Sequence, residues 1–89
     1  MKHITIATRG CSCCTKWHQT RVCAENSRDF EEKINKVLNS ASEDGHYVYE
    51  AVLTRSKHCD FCGSLLADQD LTEAKRIIRD FEPQKGGAA

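Results

Sequence analysis

Cys11 and Cys14 are spaced as one C-x-x-C pair, and Cys59 and Cys62 as a second, in a chain of 89 residues. Thiolates at that spacing do metal-ligand chemistry. A two-residue turn points both sulfurs at one ion, while the intervening amides hydrogen-bond to the sulfurs and spread their charge. Two such turns complete a tetrahedral shell, so the reading is a single structural Zn²⁺ held by Cys11, Cys14, Cys59 and Cys62. Other ligand choices stand beside it. Cys13 lies inside the first pair and can replace either neighbour. His18, Cys23 and His58 are further donors, and Cys14, His18 and Cys23 together offer a partly independent second site.

In the second pair a glycine follows the last ligand, Cys59-Asp60-Phe61-Cys62-Gly63, where a chain wrapping a metal turns to positive φ. These residues resemble the C-x-x-C-G knuckle of zinc ribbons and treble-clef fingers. The resemblance covers the two knuckles alone. The first departs from it, with Gly10 before the pair and no glycine after Cys14. The resemblance implies a structural zinc rather than a catalytic one.

Six cysteines in a short chain also suit a disulfide framework, with fifteen connectivities open to it. That framework needs an oxidising compartment, and the residues from Met1 to Arg9 contain no continuous apolar run of the secretory type. A cytoplasmic location is the expectation, with thiols reduced and free for metal. No stretch approaches the roughly 18 apolar residues of a membrane span. Ile4-Thr5-Ile6-Ala7 followed by Cys11-Ser12-Cys13-Cys14 is superficially similar to the strand and C-x-x-C of thioredoxins. That family sets a proline against its motif, however, and Pro83 is the one proline here, so a thiol redox protein is the least favoured reading.

Enzymatic readings have little to stand on. Four thiolates close a zinc shell that a catalytic site would leave open. Glu50, Asp60 and Asp68 are scattered, and no phosphate-binding glycine loop, G-x-S-x-G elbow or zinc-deaminase signature is present. No small-molecule substrate is expected. His3 and His46 stand at strand starts, and no site role is read for either.

The elements that must position the thiolates follow from periodicity. Ile4 and Ile6 alternate with polar neighbours as a short strand running into the first knuckle, and 16–24 reads as a strand returning from it, with Trp17 and Cys23 on its other face. Phe30, Ile34, Val37 and Leu38 form one helical stripe, capped by Asn26 or Ser27. Asp44-Gly45 turns the chain, and the aromatic and β-branched residues of 46–54 form a strand leading to the second knuckle. The Asp70 side chain caps a second helix, with Glu73 at its third position, and Leu71, Ala74, Ile77, Ile78 and Phe81 form its buried stripe until Pro83 stops it. The expected fold is therefore a small zinc-stabilised α+β domain over 1–83, a two- to three-stranded sheet with two helices and the metal at one end, followed by a disordered tail at 84–89. A chain of this size has a thin core, so folding and metal binding should be coupled.

Formal net charge is zero, but the charges are unevenly placed. Residues 1–28 carry Lys2, Arg9, Lys16, Arg21 and Arg28 against Glu25 alone, whereas 29–50 carry Lys33 and Lys36 against six acids. Closure of both knuckles on one ion would gather Arg9, Lys16, Trp17, Arg21, Arg55 and Lys57 near it. That basic, aromatic surface suits a larger protein partner, for which the chain would act as a regulatory adaptor or inhibitor, or a nucleic acid gripped by phosphate contacts and base stacking. The lack of net charge leans toward the protein partner. The same cations would also offset the charge of a four-thiolate zinc.

Overall fold

The computed structural model describes residues 1–10, 16–66 and 69–81. Three strands, β1 (Lys2–Arg9), β2 (His18–Ala24) and β3 (Val48–Val52), form an antiparallel sheet in the order β2-β1-β3. The helices α1 (Ser27–Glu43) and α2 (Leu71–Asp80) follow β2 and β3. This is the expected α+β arrangement, with β1 as the central strand.

Strand parity decides which side chains meet the helices. Side chains alternate across a sheet, and Ile4 and Ile6 of β1 point to the same side as Val22 and Ala24 of β2 and Ala51 of β3. On that side Phe30, Ile34 and Leu38 of α1 and Ala74 and Ile77 of α2 complete one apolar cluster. Val37, Leu71, Ile78 and Phe81 pack half-buried around it, and Phe81 meets Tyr49 edge to face at 5.7 Å.

The helix ends follow from local chemistry. Asn26 caps α1, its side-chain oxygen accepting the Asp29 amide at 2.9 Å. At the other end Gly45, at φ 85°, lets the His46 amide reach the Ala41 carbonyl at 2.8 Å and the Gly45 amide reach that of Ser42 at 3.1 Å. The last carbonyls of α1 are thereby satisfied, and the chain turns into β3.

Beyond Val52 the chain leaves the sheet, so β3 is shorter than the 46–54 expected. Gln69 and Asp70 occupy the place it vacates. The Gln69 side-chain amide accepts from Thr54 N at 2.7 Å and donates to Thr54 O at 2.9 Å, as a neighbouring strand would. The Asp70 amide donates to His3 O at 3.2 Å, and its carboxylate accepts from His3 N at 3.3 Å and from Lys2 Nζ at 3.2 Å. Asp70 stands at the N-cap position of α2 as the sequence suggested, but its side chain serves β1 rather than the helix.

Candidate metal centre

The face of the sheet turned away from the helices carries His3, Thr5 and Ala7 from β1 with Arg21 and Cys23 from β2. His3 and Cys23 are cross-strand partners. Because His3 spends its own N–H and C=O on Asp70, it and Cys23 form a pair without ladder hydrogen bonds, the kind in which side chains approach most closely. Two metal-ligand residue types therefore stand side by side on two adjacent strands.

The segment after β3 crosses this face and brings the second knuckle over the pair. Leu66 N donates to Lys57 O at 2.8 Å, and His58 bridges Leu65, closing a small loop. Inside it Cys59 N donates to Ser64 O at 2.9 Å, and Gly63 N donates to Cys59 O at 2.9 Å. Gly63 takes φ 75°, the positive value expected after the last ligand. The Phe61 amide lies 3.4 Å from Cys59 Sγ, the amide-to-sulfur contact on which the knuckle reading depends. Thr5 Oγ1 to Thr54 Oγ1 at 2.7 Å and an ion pair between Arg21 and Asp60 fasten the segment to the sheet.

The result is a cluster in which one donor atom each from His3, Cys23, Cys59 and Cys62 lies within 4.8 Å of all the others. His3 Nε2 is 3.2 Å from Cys62 Sγ. His3 and Cys59 are buried, Cys23 is half-buried and Cys62 faces solvent. All three cysteines are free thiols. Four donors converging from β1, β2 and a knuckle can bind a metal ion.

The electrostatics of the thiols differ. The Ser64 hydroxyl, with the Ser64 amide and His3, lowers the Cys62 thiol to about 6, favouring the thiolate. Desolvation, then the hydrogen bonds and charge of Cys59 and Cys62, push Cys23 up to about 12. Three thiolates cannot share so small a volume without a cation. A divalent ion removes that repulsion, and its binding would displace the Cys23 proton.

The sequence-derived candidates separate along β1. Cys59 and Cys62 are in the cluster, joined by Cys23 from among the alternatives. Cys11, Cys13 and Cys14 lie outside the described residues, while Gly10 and Lys16, which flank them, stand at the opposite end of β1. Six residues of extended chain put Arg9 roughly 20 Å from His3. Since β1 and β3 are antiparallel, their C-terminal ends point to opposite ends of the sheet. His18 is exposed and meets His46 edge to face at 6.1 Å, and His58 is exposed beside the knuckle. Of the basic group, the Arg9 guanidinium lies 4.2 Å from the Trp17 ring centroid at the far end of β1, next to exposed Lys16. Arg21 pairs with Asp60, and exposed Arg55 and Lys57 lie on the segment leading to the knuckle.

His3 is the ligand that motif reading misses, because it belongs to no local C-x-x-C or C-x-x-H spacing. Parity could have found it: if Ile4 and Val22 face the core, His3 and Cys23 must both face away. No family model, curated protein or solved structure matches this chain, so the geometry of the donors carries the functional reading.

Proposed function

We propose that the chain is a zinc-stapled recognition protein that works through contact with a larger protein, as a regulatory adaptor or inhibitor, and that its metal is structural. The carrying observation is the convergence of His3, Cys23, Cys59 and Cys62 within 4.8 Å. Three thiolates and one imidazole are a soft, tetrahedral donor set suited to Zn²⁺, and four protein ligands leave no open position for substrate or water. Such an ion holds a surface in place. The surface it would hold is apolar at its tip, with Phe61 70 % and Leu65 65 % exposed. Contact with a protein explains that exposure better than contact with a polyanion does. One group suited to stacking on a base, Trp17, is already engaged by Arg9.

Metal analysis of the purified chain, followed by cobalt substitution, tests the staple. The expected result is one ion with the visible spectrum of a three-sulfur, one-nitrogen site, lost in His3→Ala and in Cys23→Ser and kept in Cys13→Ser. Retention in both of the first two variants sinks the assignment. Affinity capture with nuclease treatment tests the function: a stoichiometric protein partner should survive, and release of all bound material by nuclease would favour the nucleic-acid reading.

A further inference from the structure

The knuckle and α1 stand on either side of β2, which is an edge strand. Between them, along the outer edge of β2, runs a groove of about 670 Å³, within the usual range for ligand-binding clefts. One wall is α1, presenting Val37 and Ala41 beneath Lys33 and Lys36. The other is the knuckle, with Phe61 and the neighbouring Met1 as its lip, 70 % and 59 % exposed.

We infer that this groove accepts an extended segment of the protein partner, added as a fourth strand against β2 and carrying acidic side chains at alternate positions. The inference rests on the reading of the chain as a protein-recognition module and names the chemistry of what it recognises. Because His3 and Cys23 are a pair without ladder hydrogen bonds, the N–H and C=O of Cys23, and by alternation those of Arg21 and Gln19, point away from β1 along the open edge. Lys33 Nζ donates to Cys23 O at 2.7 Å, supplying the bond that an incoming amide would make. A lysine at this place also guards the edge against indiscriminate pairing.

Charge selects the occupant. Arg21, Lys33 and Lys36 flank the middle of the groove, whereas Glu25 and Asp44 stand just past the ends of β2 and α1. Lys36 makes no ion pair among the described residues. The pairs Arg21–Asp60 and Lys33–Asp29 are solvent-exposed and weak enough to exchange for a ligand carboxylate. A second copy of the chain fits poorly: two β2 edges pairing about their midpoint would place Arg21 opposite Arg21, and like charges so placed are destabilising. Strand addition supplies affinity through the main chain and specificity through alternate side chains.

The test is selection of short random-sequence peptides displayed on phage against the zinc-loaded full chain, followed by titration of the enriched peptides in solution. Acidic residues should be enriched at alternate positions, and binding should protect the Gln19 and Arg21 amides from hydrogen exchange. N-methylation of alternate peptide amides should abolish binding, and Lys36→Glu should weaken it roughly tenfold or more. Lys36 is exposed and contributes no atom to the donor cluster, although Cys23 and Cys62 line the same groove, so this variant should keep its fold and its zinc. No enrichment, a basic or helix-forming consensus, or protection confined to α2 and β3 would overturn the inference. Zinc content and nuclease-resistant capture are scored separately. If both persist while the selection fails, the groove is wrong and the recognition role stands; if they fail, the recognition role itself falls.

Discussion

The two faces of the sheet are held by different forces. On the helix side Ile4, Ile6, Val22 and Ala51 meet Phe30, Ile34, Leu38 and Ile77, an apolar cluster that excludes water and needs no directional bond. On the knuckle side the buried residues are His3, Thr5, Ala7 and Cys59, and what crosses the gap is hydrogen bonds, one exposed ion pair and the four donor atoms. On the first face burial supplies the cohesion. On the second, the thiol donors converge where one shared cation could supply it. A small chain can thus keep one face as an apolar core and give the other to polar contacts and a cluster of metal-ligand side chains.

Removing the metal is the sharpest way to break this comparison. A ligand present at a thousand times its dissociation constant stabilises by about 4 kcal/mol, and a strong chelator should withdraw that from the knuckle face first. Hydrogen exchange should then accelerate at the Cys59, Gly63 and Leu66 amides, while α1 keeps its protection and its circular dichroism. Simultaneous loss on both faces would show that the apolar side cannot stand alone. Phe30→Ala strikes the opposite face and should cost about 3–5 kcal/mol, read as a lower urea midpoint for the whole domain, knuckle included. Asp70→Ala removes the acceptor of the His3 amide and the Lys2 ammonium, with an expected loss of about 1–3 kcal/mol. Faster exchange at His3 and at the start of α2 would register it; an unchanged His3 amide would mean that Asp70 does not anchor β1.

The smallest effect is a titration confined to the helix side. The Glu25 amide, and then Lys33, hold the Asp29 carboxyl below its usual 3.8. A lowered folded value means that this contribution is fully present above the unfolded pKa and is lost as pH falls through the folded one. The first turn of α1 should therefore fray only below about pH 4, measured by amide exchange at 27–30, and Asp29→Asn should remove that acid step. An identical acid profile in the variant would contradict it.

What was legible in the sequence was what local pattern controls. Asn26, the Phe30-Ile34-Leu38 stripe, Gly45 and the Ala74-Ile77 pair placed both helices, because caps and 3.6-residue periodicity are properties of short stretches. Gly63 and the second knuckle were readable for the same reason. His3 was not, since its role depends on the register that sets it opposite Cys23, and register is a property of two strands at once. The side chain of Asp70 was misassigned to its own helix for a related cause: the unpaired end of β1 offered it a backbone amide that sequence spacing does not reveal.

The Gln69 side chain closes a ring on Thr54 through bonds of 2.7 and 2.9 Å. In engineering terms, the excursion between those two residues is a cassette with a locked base: it leaves and re-enters the scaffold at one point, so its length can be altered away from the knuckle at little entropic cost. Transplanted to another antiparallel sheet, the cassette would need from its host a histidine and a cysteine facing each other across a pair without ladder hydrogen bonds, and a threonine and an arginine placed as Thr5 and Arg21 are here.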